Sequence, residues 1–151
     1  MPASRRPQEW EAHREKIQVG LKLKEFSSPQ ARIGVVWAGA IPYFSERRSI
    51  DLSGKSDRRI AHGPEKLFEP PPLPFFIDAP VPYCWPGHTK RDSLYSIVDL
   101  KPDVIEAWPG SYSPEVNQFL RENYLSARLG ETQLLVNKHS TQVKLPNTAT
   151  Q

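Results

Sequence analysis

Along the chain, apolar residues first recur at helical spacing, then condense into short unbroken runs, then scatter among prolines before both patterns return. From about Pro7 to Phe26, Trp10, Ile17 and Leu21 share one face of a 3.6-residue repeat, with Leu23 and Phe26 widening it. This spacing predicts an amphipathic helix packed on a sheet. Ser27, Ser28 and Pro29 end it, because the residue before a proline resists helical geometry. Acidic and basic residues are balanced on its polar face, which argues against a helix lying on a membrane. Gly20 is the one weak helix former inside it. Ile33 to Trp37 is a nearly continuous β-branched run, the mark of a strand buried on both faces. Ala38, Gly39 and Ala40 make a turn of small residues, and 41–45 make a helical turn with Pro42 early, where proline is tolerated. A second strand follows at 49–52, and Ser56 is placed to cap a helix reaching about Ala61. Two strands joined by a helical crossover predict a parallel pair.

Beyond His62 the periodicity fails. Residues 64–87 include PPPLPFFIDAPVPYCWPG, an extended excursion too long for a simple connector. Phe75, Phe76, Tyr83 and Trp85 need burial, so the excursion is expected to fold back on the body as a lid or contact surface. Helical spacing resumes at 89–100, with Leu94, Ile97 and Val98 on one face, and Pro102 stops it. Residues 103–108, DVIEAW, form another strand. Ser113, Pro114 and Glu115 then open a helix, with proline in the favoured first position. Residues 125–129 and 131–139 are two further strands, which Gly130 and its flanking residues set either to pair as a hairpin or to lie as neighbours. The fold expected is a small three-layer α/β domain. Its central sheet has about four to five strands, mostly parallel, with helices on both faces and one long proline- and aromatic-rich excursion. Residues 7–139 form the single domain, and 1–6 and 140–151 are expected to be disordered tails.

Composition narrows the class without naming a reaction. Of 151 residues, 38% are hydrophobic and 25% charged, ordinary for a globular domain, and 16 prolines account for the extended segment. A net charge of +3 with scattered Lys and Arg is far from a nucleic-acid signature, so no nucleic-acid partner is expected. The single cysteine, Cys84, excludes an internal disulfide and a multi-cysteine zinc site, and neither a metal nor a cofactor is expected. No apolar run approaches the ~20 residues of a membrane helix, and MPASRRPQEW has no apolar signal core.

Two polar clusters carry the candidate chemistry. In the first, Gly54, Lys55 and Ser56 lie between a strand and a helix, as a phosphate loop would. The full loop requires a glycine five positions before Gly54, and Ser49 stands there, so a nucleoside triphosphate is excluded. A single phosphate or carboxylate on Lys55 remains open. Asp51 and Asp57 could act as acid and base, but the plainer reading has Asp51 bonding backbone amides and Asp57 favouring a helix start. The second cluster, PGHTKRD, contributes His88, Lys90 and Arg91. His88 could shuttle a proton, and Lys90 with Arg91 could join Lys55 where strand ends converge.

Three phrases carry a family likeness: AGAIPYFSERRSIDLSGKSDRRIAHGP, PGHTKRDSLYSI and KPDVIEAWPG. They resemble the C-terminal extramembrane part of bacterial polytopic membrane glycosyltransferases of the protein mannosyltransferase and aminoarabinose-transferase type. The matching positions are Gly39, Tyr43, Asp51, Gly54, Asp57, Ile60 and Ala61, then Pro86, Gly87, His88 and Lys90, then Pro102 to Ile105. The resemblance implies a location on the extracytoplasmic, periplasmic side of the inner membrane. It also implies a lipid-phosphate sugar donor or glycan acceptor nearby, and the membrane portion of a parent transferase as partner. The resemblance implies a catalytic carboxylate in an extracytoplasmic loop of the membrane portion, so no catalytic residue is expected here. The expectation is therefore an accessory domain without chemistry of its own, with Tyr43, Asp51, Lys55, Asp57, His88 and Lys90 as ligand-binding candidates. The alternative is a free-standing phosphoryl-ligand binder or enzyme using the last five of these.

Overall fold

A computed structural model describes residues 6–64, 90–107 and 112–145. The proline-rich excursion, His88 and Cys84 lie outside the described residues, as do 1–5 and 146–151. The elements run α1 (Arg6–Phe26), β1 (Arg32–Val35), α2 (Ala40–Ser45), β2 (Arg48–Asp51), α3 (Arg58–His62), a π-helix (Leu94–Asp99), β3 (Val104–Glu106), α4 (Pro114–Asn123), β4 (Tyr124–Leu129) and β5 (Thr132–Asn137). They build one five-stranded sheet in the order β2-β1-β3-β5-β4.

The chain is α/β, with helices on both faces of that sheet. Parallel pairing is confined to β1 with β2 and β1 with β3. The β4–β5 hairpin then adds antiparallel pairing at the other side, through β5 on β3. Along the central strands alternate residues go to opposite faces, as a period of two requires. Ile33, Val35, Val104, Leu134 and Val136 meet Val19 and Leu23 of α1 and Ile41 of α2. Val36, Ile50, Leu52 and Ile105 meet Ile97 of the π-helix and Val116 and Leu120 of α4. Each of the two cores thus has its own pair of helical segments.

Two expectations need correction. The buried stripe of α1 is Val19 and Leu23, both essentially inaccessible, whereas Trp10 is 74% exposed and Leu21 half-exposed. The helix is rotated from the face that its largest apolar residues define, because Gly20 lets α2 approach closely. A Cβ at Gly20 would stand 2.9 Å from the Cβ of Phe44 and 3.1 Å from the carbonyl oxygen of Ile41. The glycine that weakens the helix is therefore what admits its neighbour. The second correction concerns residues 140–145, expected as part of a disordered tail. Val143 is buried in the α1-side core and bridges to Ser27. Backbone hydrogen bonds from Ser28 N to Gln142 O (2.8 Å) and from Lys144 N to Phe26 O (2.8 Å) tie it to the end of α1. A polar composition hid this segment, since one valine and backbone pairing are enough to dock it.

Local caps fall mostly where chemistry puts them. Ser113 Oγ accepts from Val116 N at 3.4 Å, with Pro114 opening α4. Asp57, rather than Ser56, caps α3, its Oδ1 accepting from Ile60 N at 3.0 Å. The replacement Gly20→Val should lower stability by about 1–3 kcal/mol, as overpacking does in a close helix contact. Urea denaturation followed by circular dichroism checks this; an unchanged midpoint would mean that α1 and α2 separate at no cost.

Candidate functional site

The corner after β2 is built almost entirely by one side chain. Asp51 ends the strand buried, and its Oδ1 accepts from Ser53 N (2.9 Å) and Gly54 N (3.1 Å). Its Oδ2 accepts from Ser56 N (2.7 Å) and Ser56 Oγ (2.8 Å). This is the local side-chain-to-backbone bonding at which aspartate excels, extended until both oxygens are occupied. Ser53 Oγ donates to Val36 O at 2.8 Å, fastening the corner to the end of β1. Gly54 has φ of +72°, and a Cβ there would lie 2.2 Å from Cγ2 of Ile60, so conformation and packing both demand glycine.

The structure brings some of the sequence candidates together and separates others. Asp51, Lys55 and Asp57 share this corner, and Lys55 is exposed on it. Lys90 joins them: its carbonyl oxygen abuts Gly54, and its Nζ donates to Ala61 O at 2.8 Å, at the carboxyl end of α3. Arg59 lies over the ring of Tyr95 at 4.0 Å, linking α3 to the π-helix. Tyr43 is elsewhere, on α2, 77% exposed and in edge contact with Phe44 at 5.1 Å. His88 falls outside the described residues. Among those residues no group of three or more His, Cys, Asp or Glu side chains could hold a metal.

A second polar region, which the sequence reading did not single out, lies where β1 and β3 end. β1 leads into α2 on one face, whereas the π-helix before β3 and α4 after it lie on the other. Glu106, the last residue of β3, is buried there. Its Oε2 accepts from Val36 N at 2.9 Å and its Oε1 from Lys16 Nζ of α1 at 3.1 Å. Lys16 also lies 5.7 Å from the ring centroid of Trp37, which is 45% exposed. Tyr112, just before α4, packs on the second core, and its buried hydroxyl has no hydrogen-bond partner among the described residues. Burial pushes that hydroxyl up to about 12, against the lowering pull of Arg91 and with a smaller upward push from Glu106. Arg91 is lowered by burial, its largest influence, and is partly restored by Tyr112. Glu106 and Lys16 are 90 positions apart. No local pattern announces such a pair; the only hint was an acidic residue inside an apolar strand.

One family model matches the chain, over residues 5–143, and its description is a domain of unknown function, DUF8728. The chain belongs to the DUF8728 family. The match covers every strand and helix of the sheet domain. No curated protein matches the chain, and no solved structure does.

Replacing Asp51 by Ala leaves the amides of Ser53 and Ser56 without their acceptor, and Gly54 N with only the carbonyl of residue 51, and should cost on the order of 2–4 kcal/mol. Asp57→Ala removes a single cap and should cost about 1 kcal/mol. Paired urea titrations check the order, and equal losses would contradict the assigned roles. Tyr112 gives a pH test. Its folded pKa lies above the ordinary tyrosine value near 10, so its contribution is complete below about pH 10. That contribution is lost as pH rises from there toward 12. Tyr112→Phe should therefore lose less stability than the parent between pH 10 and 12, and identical curves would contradict the buried hydroxyl.

Proposed function

We propose that this domain is a non-catalytic accessory part of a membrane glycosyltransferase that uses a lipid-linked sugar donor. It would act on the extracytoplasmic side of the membrane and orient donor or acceptor for a partner that holds the catalytic carboxylate. Two things support the reading. One is the ordered likeness of the three sequence phrases to the extramembrane part of such enzymes. The other, which carries it, is the state of Asp51: the most distinctive acid of those phrases has both oxygens engaged within its own corner. A carboxylate held in that way is a structural element and a poor general base. Asp57 is likewise engaged as a helix cap, and the Lys90 ammonium sits on a carbonyl. A free-standing phosphoryl enzyme built on these same groups has less support. No helix among the described residues is long and apolar enough to cross a membrane.

The test has two arms. The purified chain, given a polyprenyl-phosphate sugar, should neither transfer nor hydrolyse it; turnover that Asp51→Asn abolishes would overturn the proposal. In cells, deleting this domain should lower sugar transfer by the associated membrane enzyme at least about tenfold while that enzyme still inserts, a loss of ~1.4 kcal/mol in transition-state terms. Full transfer without the domain would also overturn it.

A further inference from the structure

β4 is where the sheet stops. Among the described residues its one neighbour in the order β2-β1-β3-β5-β4 is β5. The pairing with β5 runs unbroken from Tyr124 opposite Asn137 to Leu129 opposite Thr132. Its phase is fixed at one end, where Lys138 N donates to Asn123 O at 2.9 Å. Antiparallel ladders alternate, so the amides and carbonyls of Leu125, Ala127 and Leu129 turn to β5, and those of Tyr124, Ser126 and Arg128 turn outward. The far side of β5 agrees, since Asn137 N donates to Asp103 O at 2.9 Å and Ala107 N to Gln133 O at 3.0 Å, both toward β3. Tyr124 N is taken by Leu120 O of α4, which leaves Ser126 N and Arg128 N as the outward donors of β4.

An open ladder edge is a template for another strand, and proteins guard such edges with proline, lysine, bulges or brevity. The opposite edge, β2, has four residues and opens on the exposed Arg48. β4 has six, YLSARL, with no proline or lysine, and its unbroken register leaves no bulge. Its one charge, Arg128, is paired with Glu131 at 3.0 Å. Leu125, on this edge, is 39% exposed. By alternation it shares the face of Ala127 and Leu129, which pack on the α1-side core.

A second copy of the same edge, run antiparallel, is complementary to it. With Ser126 on the two-fold axis, Ser126 N of each copy meets Ser126 O of the other, and Arg128 N meets the other copy's Tyr124 O. Both outward donors are then used. The exposed Leu125 lies opposite the other copy's Ala127, apolar against apolar. In this register the two Arg128 side chains stand well apart. A shift that put Ala127 on the axis would make them diagonal neighbours at ~7–8 Å and set like charges together. We infer that β4 is a self-association edge, at which a second copy of this chain pairs antiparallel about Ser126 and joins two five-stranded sheets into one. A strand pair of this length buries less than the ~800 Å² per partner of a standard interface, so the dimer is weak and depends on concentration. The inference goes beyond the accessory role and does not rest on it.

The experiment follows the full chain by sedimentation equilibrium from about 20 to about 500 µM, with amide hydrogen exchange at both ends of that range. The mean mass should rise from 17.2 kDa toward twice that value, with a Kd on the order of 0.1 mM. Exchange at the Ser126 and Arg128 amides should slow as the dimer fills, while that at Leu125 and Ala127, which face β5, should not change. Ser126→Pro removes an outward amide and spares the β5 ladder, a position at which edge strands accept proline. Leu125→Lys sets two ammonium groups diagonally across the axis. Each should weaken association at least about tenfold. A variant that has lost its circular dichroism is set aside, and the other decides. Trp10→Ser, on the exposed face of α1, should leave the Kd unchanged. The inference is overturned if the chain stays monomeric at about 500 µM, if a folded β4 variant dimerises as the parent does, or if Trp10→Ser weakens the dimer as much. Protection of the Ser126 and Arg128 amides in the monomer would also overturn it, because the chain would then cover this edge itself.

Discussion

The structure depends on burying β3 without stranding its polar groups. This strand has only three residues, all inaccessible, in the middle of the sheet, where an unpaired amide or charge is expensive. Two acids at its ends solve the problem. Asp103 N donates to Arg32 O at 2.8 Å while its Oδ2 accepts from Arg32 N, also at 2.8 Å, so one residue completes both sides of the entry to β1. Its Oδ1 takes Ser140 Oγ at 2.6 Å, and its carbonyl takes Asn137 N at 2.9 Å, joining the end of β5 and the segment beyond it. At the far end Glu106 does the same for Val36 and draws in Lys16. The central strands, the seat of α1 and the docking of residues 140–145 therefore share two carboxylates. Buried charges of this kind are tolerated because each is met by a donor from a different element, and losing any one donor would leave a partner exposed to the full desolvation cost.

The two polar regions at the carboxyl side of the sheet differ in a way that bears on function. Around Asp51 every strong acceptor is matched by donors within five residues. Local closure makes that corner rigid and gives it little left to offer a substrate. Around Glu106 the groups arrive from distant parts of the chain, Val36 N from β1 and Lys16 from α1. The contrast moves attention from the acids that stand out in the sequence to one hidden inside a strand.

Much of this was legible because it is local. The buried β1 run, the Pro114 helix start, the turn at Gly130 and the amide-bonding role of Asp51 each depend on a few neighbouring residues and their backbone preferences. What escaped was non-local. Trp10 and Leu21 outweigh Val19 on any hydrophobic scale, yet Val19 faces the core because Gly20 brings α2 against that side of the helix. Residues 140–145 look like a polar tail until Val143 finds the α1 core and the backbone of Phe26 and Ser28. The sheet carries parallel pairing only across β2, β1 and β3, since the closing hairpin reverses direction on reaching β3 through β5.

By itself the sequence determined the α/β class, the order of strands and helices, and the closed turn at Asp51, all of which follow from periodicity, capping and side-chain reach over a few residues. The tertiary structure alone decided which face of α1 is buried, that Lys16 meets Glu106 across 90 positions, and that the buried Tyr112 hydroxyl has no hydrogen-bond partner among the described residues. The physical reason is the same in each case. A helix or strand carries its own hydrogen bonds and periodicity, but the partner of a buried charge is chosen by how the layers pack, and that choice is made between residues that never meet until the chain has folded.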